Sequence, residues 1–300
     1  MDHTSPSLPA TPALPAIPAY PRIAYGLYPV VAAITVAGVA LALTRNLNRN
    51  AVVGVLTVLT IVVCFAVERR HPLRAQWQMT RAMLVERDLP FIGLGFVVEQ
   101  LAQTGIALIA AATIPDGGFG PVARLPLAMQ VVLGLIAFDL LWYGYHRAAH
   151  ASARLWRVHG VHHAAPQVYL LMHPVFHPLD LVVSRFLISL LVFRFTGLTP
   201  DAAFVVIVVL NLQQTVSHLN VDVRVGPLNY LLIGTQTHRY HHSAVDSGNF
   251  SSALALWDQV FGTFIYRPTE LPDRLGLANP DDYPDPRRFH ATLAWPLRRA

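Results

Sequence analysis

Histidine is the residue type in this chain whose number and spacing call for chemistry. There are 14, and 11 of them fall between positions 146 and 242. Three arrays stand out: HRAAH, with His146 and His150; HGVHH, with His159, His162 and His163; and HRYHH, with His238, His241 and His242. Offsets of three and four residues place side chains on one face of a helix, so each array would present its imidazoles together. A neutral imidazole is a nitrogen ligand for iron, copper and zinc, and two nitrogens one helical turn apart chelate a single ion. One ion takes four to six ligands, so eight imidazoles suit a pair of metals with positions left for substrate or dioxygen. His177 and His218 are further candidate ligands. His173, in MHPVFHPLD, reads equally well as a loop histidine, and His3, His71 and His290 as surface residues.

The elements that carry these arrays belong in a lipid bilayer. Charged residues make up 13% of the 300, apolar residues 54%, and the mean hydropathy is +0.44. That leaves too little polar side chain to cover a soluble globule. Residues 1–22 form a Pro-rich tract that favours extended backbone and reads as a disordered tail. Apolar stretches at 23–44, 51–67, 91–114 and 127–145 approach the roughly 20 residues that a crossing needs. Two shorter stretches, 179–195 and 202–215, are separated by TGLTP and form either two short spans or a hairpin dipping partway in. The expected fold is an all-α membrane bundle of four to six spans, with six favoured, beneath a helical cap that holds the histidines. The expected divisions are a tail at 1–22, a membrane region at 23–126, a catalytic domain at 127–266 and a tail at 267–300.

Arginine supplies the orientation. All 22 basic residues are Arg, and five (Arg69, Arg70, Arg74, Arg81 and Arg87) lie in one loop, which places that loop in the cytoplasm. Counting crossings from there brings both histidine-rich regions to the same cytoplasmic side. A Lys-free, Ala- and Val-rich chain fits a GC-rich bacterial genome, hence a bacterial inner membrane. The net charge of +5 reads as membrane orientation, with no nucleic-acid partner expected. Charged residues inside spans are costly and face the interior. Asp139, seven residues before His146, is expected to sit behind a ligand and orient its imidazole. Glu99 is expected to bond with Gln100 or Gln103, and Arg185 and Arg194 to reach for an interface.

The segments DLLWYGYHRAAH, WRVHGVHH, HPLD, SHLN, GPLNYLL, THRYHHS and NFSSALALWDQVFGT together resemble the fatty acid hydroxylase superfamily, in its sterol desaturase-like branch. The resemblance spans about residues 127–266. It implies a membrane oxygenase with two iron ions (Fe2+/Fe3+) that uses O2 to hydroxylate or desaturate a membrane lipid. It also implies His146, His150, His159, His162, His163, His238, His241 and His242 as ligands, with His177 and His218 in support. Two departures are His173, where no histidine is expected, and Gln214, where some members carry one. A C–H bond of a lipid yields only to a redox-metal oxidant; zinc in the same ligands would support hydrolysis or structure instead. The chain has neither a dinucleotide-binding fingerprint nor cysteines for an iron–sulfur cluster, Cys64 being alone. A separate ferredoxin or reductase is therefore expected, docking on Arg147, Arg154, Arg157 and Arg239 unless these face anionic lipid. Other classes considered are a membrane metal-binding or transport protein, a zinc-dependent membrane hydrolase and a haem electron carrier.

Overall fold

The computed structural model describes residues 18–113 and 120–298. The expected tail at 1–22 therefore lies mostly outside the described residues. Its last two residues belong to a helix, because Pro21 opens one in the first-turn position where its missing N–H costs nothing.

Five helices are long and apolar enough to cross a membrane. We label them with the short helices of the cap in chain order: α1 Pro21–Thr44, α2 Arg49–Arg70, α3 Leu89–Thr113, α4 Leu127–Ala151, α5 Ala153–His163, α6 Pro200–Ser217 and α7 Thr235–His241. The five long ones are α1, α2, α3 (with the helical turns leading into it), α4 and α6. Their outer faces leave Val36, Val55, Phe96, Leu101, Leu108 and Val132 exposed, as a lipid-facing surface requires. Among the described residues there is no β-strand, only two isolated bridges.

Beside these five helices, the 178–196 segment runs from the histidine end of the bundle to its far end, where Gly197 lies against Gly120 and Thr199 bonds Gln130. The 178–196 segment is helical throughout but changes pitch, with a π-helical stretch at Val182–Ile188 between Pro178–Leu181 and Ser189–Thr196. Three charged residues, Asp180, Arg185 and Arg194, interrupt its apolar run. It forms a hairpin with α6, turning at Gly197, whose φ is +66°. Arg185 does not reach outward: its Nε lies 3.5 Å from Glu99 and its Nη2 donates to Gln214 Oε1 at 3.3 Å. Glu99 also accepts from Gln103 at 3.0 Å, one turn along its own helix.

Two local features bring the histidine arrays together. The apolar span continues as helix to Ala151, so α4 carries His146 and His150 beyond its apolar stretch. Ser152 then breaks the helix with extended backbone (φ −107°, ψ 120°) and caps α5 through Leu155 N–H at 3.5 Å. This single-residue joint folds α5 against α4, a side-chain N-cap being the usual means of starting a helix.

The Arg-rich 68–88 segment packs on the same end of the bundle. Glu68 Oε2 accepts from Leu170 N and Asn220 N, each at 2.9 Å. Arg87, 1% exposed, pairs with Asp88 at 2.8 Å and donates to the carbonyl of Val161 at 2.8 Å. That carbonyl belongs to the last turn of α5, where carbonyls lack intrahelical partners. Residues 267–298, expected as a tail, close the cap, with Leu271, Leu275, Leu277 and Tyr283 buried. Gly197 is a sensitive point. A Cβ there would strike the Gly120 backbone and would also occupy the left-handed region, itself worth about 1–2 kcal/mol. Gly197→Ala is expected to lower the melting temperature of detergent-solubilised protein, measured by scanning fluorimetry.

Candidate metal centre

Nine imidazoles converge in two adjoining groups. His146, His150, His159, His163 and His241 form one; His162, His218, His238 and His242 form the other. Within each group the ligand atoms lie within 4.8 Å of one another. The groups interleave. From α5, His159 and His163 point to the first group and His162 to the second. From the 238–242 array, His241 joins the first group and His238 and His242 the second. The rings of His163 and His242 stack across the boundary at 4.5 Å.

Hydrogen bonds made on the far side of each ring fix what it presents inward. His146 Nδ1 bonds the Phe250 carbonyl at 2.7 Å, and His159 Nδ1 bonds Asp180 Oδ2 at 2.8 Å. His241 Nδ1 bonds the Gly248 carbonyl at 3.0 Å, His162 Nδ1 the Val175 carbonyl at 3.2 Å and His218 Nδ1 the Gln214 carbonyl at 2.8 Å. An acceptor at Nδ1 places the ring's single proton there, leaving a lone pair at Nε2. Those lone pairs face each other: His146 and His159 Nε2 are 2.9 Å apart, and His162 and His218 Nε2 are 3.1 Å apart. His238 Nε2 approaches His218 Nε2 at 3.0 Å, and His242 approaches them at 3.1 and 3.4 Å. Two lone pairs at such distances repel unless a cation lies between them. Four nitrogens at about 2.1 Å from one ion are spaced about 3.4 Å apart. The donor set therefore fits a metal in each group. His150 Nε2 is also buried with no hydrogen-bond partner.

Burial keeps the rings ready to bind. It pushes His162, His163, His238, His241 and His242 well below the ordinary imidazole value, with neighbouring imidazoles pushing the same way. His218 is lowered to about 4 by burial, against a smaller upward push from its bond to the Gln214 carbonyl. Neutral rings are what a cation needs.

The structure places the remaining expected residues differently. His177 lies outside both groups. Its Nδ1 accepts from Leu179 N–H at 3.1 Å and its Nε2 donates to the Leu293 carbonyl at 3.0 Å, so neither nitrogen has a lone pair to offer. It caps a helical turn and pins the C-terminal segment. Asp139 is fully buried but touches no imidazole. Its carboxylate accepts from the backbone N–H of Ser252, Ala253 and Leu254. Asp258 does the same for Phe250 and Ser251, at 2.8 and 2.9 Å. The two carboxylates fix the 248–254 turn whose carbonyls hold His146 and His241, so Asp139 acts on the rings only through backbone.

The carboxylate that does orient a ring is Asp180, in the same HPLD as His177. It holds His159 and accepts from Tyr145 Oη at 2.5 Å. Its position three residues after His177, inside a stretch otherwise apolar, was the signal available in the sequence. His173 joins neither group, though its ring centre is 5.1 Å from that of His218. Arg239 is 2% exposed and donates to the Val221 carbonyl, so it is unavailable for docking. Beside the two groups lies a narrow cavity, lined in part by Phe138, Trp142, Phe176 and Leu181, that reaches His146 and His159 of the first and His162, His218 and His238 of the second.

Residues 131–263 match the family model for fatty acid hydroxylase. This stretch of the chain belongs to the fatty acid hydroxylase/sterol desaturase superfamily. It contains all nine converging histidines. Among its relatives are an ornithine lipid hydroxylase of Rhizobium tropici, 31% identical over 177 residues (58% of this chain and 52% of the relative), and an alkylglycerol monooxygenase of Xenopus tropicalis, 27% identical over 173 residues (54% and 37%). Methylsterol monooxygenase 1 of Rattus norvegicus is 28% identical over 156 residues (48% and 50%). The chain thus spans about half or less of the length of these relatives. No solved structure matches it.

Two outcomes follow. Rings that stay neutral when folded but take up protons near 6.5 when unfolded stabilise the fold above that pH, and this contribution is lost as pH falls from about 6.5 towards about 4. Metal-stripped protein is therefore expected to melt at progressively lower temperature across that interval, with added divalent metal restoring the melting point at neutral pH. Asp180→Asn is expected to weaken metal binding about 10- to 100-fold at the His159 group only. Chelator competition would then show one weakened ion and one unchanged.

Proposed function

We propose that the chain is a membrane-bound di-iron oxygenase that hydroxylates or desaturates a lipid, with O2 and electrons from a separate ferredoxin or reductase. The observation that carries this reading is the pair of all-histidine groups at the end of span α4, both reached by one cavity with a partly apolar wall. The relatives named as lipid hydroxylases and monooxygenases support it. Two bound irons would supply, with O2, the oxidant that an unactivated C–H bond requires.

The residues of the chain perform the rest. Asp180, Phe250, Gly248, Val175 and Gln214 hold the rings in the tautomer that presents Nε2. Phe138, Trp142, Phe176 and Leu181 line the approach with apolar surface and exclude water from it. Hydroxylation and desaturation both begin with hydrogen abstraction from a carbon held in this cavity beside the two groups. All nine rings sit at the end of the bundle that also carries the 68–88 arginines, which supports a cytoplasmic cap on a bacterial inner membrane. Arg147 and Arg154 are exposed there and form the surface offered to an acidic electron donor.

Purified protein is expected to hold about two irons per chain, in line with four or five imidazoles per ion, and to take up O2 only with reductant. Cells expressing it should show one lipid class altered by the mass of one oxygen or two hydrogens, and His162→Ala or His241→Ala should abolish the change. Stoichiometric zinc with no reductant-dependent O2 uptake would replace this reading with the zinc hydrolase.

A further inference from the structure

After the last histidine array the chain runs back along the bundle towards its far end. Phe250 is level with His146, whose Nδ1 meets its carbonyl at 2.7 Å. Ser252, Ala253 and Leu254 then give their N–H groups to Asp139. Asp139 precedes His146 by seven residues on α4, about 10 Å along the axis at about 1.5 Å per residue. Trp257 Nε1 donates to the Ile136 carbonyl at 3.1 Å, about 15 Å from His146 by the same rise. The chain turns in the short helix Leu256–Val260 and returns. Phe261 stacks on Tyr143 at 5.1 Å, and Thr263 Oγ1 lies 3.1 Å from Tyr143 Oη. The two limbs close at Asn249, which donates from N to the Thr263 carbonyl at 2.9 Å and from Nδ2 to the Ile265 carbonyl at 2.8 Å.

A second segment lies beside this dip. Ile233 N bonds the Ala253 carbonyl at 2.8 Å, Ala255 N the Leu231 carbonyl at 3.0 Å and Gln259 Nε2 the Tyr230 carbonyl at 2.7 Å. On its other flank, Val225 and Leu232 pack in one apolar cluster with Leu27, Tyr28 and Val31 of α1. Irregular backbone at membrane depth needs partners within the protein. Asp139 and these cross-bonds supply them, together with Asp258, which accepts from Phe250 N, Ser251 N and Thr263 Oγ1. Composition follows the same boundary. From Val225 to His238 and from Ser247 to Tyr266 the single acidic or basic side chain is Asp258, fully buried, whereas charge is dense again from Arg267 to Arg288. The outward side is apolar, with Tyr230, Leu231, Val260 and Phe261 exposed, and it continues the exposed Leu140 and Leu141 of α4.

We propose that residues 226–232 and 250–263 form a re-entrant lobe immersed in the acyl chains of the leaflet on the histidine side. Lipid hydrocarbon is the partner of its apolar face, because that face is continuous with the lipid-facing side of α4 and its contacts lie at the depth of the span. The cap is thereby anchored within the bilayer and not only at the bundle's end. The placement stands on contacts to α1 and α4 and is independent of the metal and of the reaction.

The test uses full-length protein in nanodiscs of phosphatidylcholine and phosphatidylglycerol, with a nitroxide on one added cysteine at a time. Leu231→Cys and Val260→Cys probe the lobe, Leu133→Cys the span, and Val245→Cys a cap residue that is 71% exposed. Cys64 is fully buried and stays in place, with unsubstituted protein as the labelling blank. Power saturation compares O2, which partitions into hydrocarbon, with a water-soluble nickel chelate. Labels at 231 and 260 should relax more with O2 than with nickel, as at 133, and the label at 245 should show the reverse. Val260→Arg should also lower the melting temperature in nanodiscs, a charge being costly in hydrocarbon, and Val245→Arg should leave it unchanged. Labels at 231 and 260 that behave like the one at 245 overturn the immersion. Labels there shielded from both agents, with dipolar broadening between them, overturn it too, since a second copy of the chain then covers the face.

Discussion

The structure depends on one electrostatic constraint: inward-facing lone pairs at about 3 Å must share a positive charge. Proteins avoid packing acceptors against acceptors, because each buried acceptor without a donor loses its solvation. Here the arrangement occurs twice, side by side, in an interior that holds the rings neutral. Every ring with a fixed tautomer directs its proton away from the centre, to a backbone carbonyl or to Asp180. That outward pattern is unintelligible as packing and direct as ligation, since a ligating imidazole needs its second nitrogen anchored.

Helix geometry explains how so few elements build two groups. In an HxxHH array the first and last histidines are four apart and about 40° from each other on one face, while the middle one is offset by about 60° from the first and about 100° from the last. Thus α5 sends His159 and His163 to one group and His162 to the other. The array ending at His242 does the reverse, with His238 and His242 paired and His241 crossing over. Neither array completes a group alone, so the two groups form only if α5 and α7 dock in register. The docking is enforced from outside by Arg87 on the end of α5, and by Asp139 and Asp258 on the turn that holds His146 and His241.

What could be read from the sequence followed the helical period. The three arrays and His218, the helical membrane fold and the common end of the bundle for arginines and histidines all rest on short-range spacing or on apolar length, which a sequence displays directly. The errors share a different cause. Asp139 was read as orienting an imidazole because it precedes His146 by two helical turns on one helix. Orientation of a ring is decided across helices, however, and the contact runs from His159 to a residue 21 positions later. His177 looked like a supporting ligand by its place in HPLD, and only the positions of Leu179 N and the Leu293 carbonyl reveal that both its nitrogens are spent.

Two approaches to the histidines differ in kind, and this asymmetry ties the centre to the bilayer. The narrow cavity reaches the second group, and His146 and His159 of the first, between aromatic and aliphatic side chains. A wider cleft of about 530 Å³ reaches His150, His163 and His241 of the first group, past Trp156, Arg157, Asp246 and Asp282. One route suits an apolar molecule arriving from lipid and the other suits water, protons and a polar partner. Because α5 and α7 each contribute to both groups, the two routes meet through a shared set of rings, with the His163–His242 stack at the boundary. A change at the aqueous side is thereby coupled to the lipid side through the same two short helices. The centre sits at the end of the bundle because only there can one set of ligands face both media.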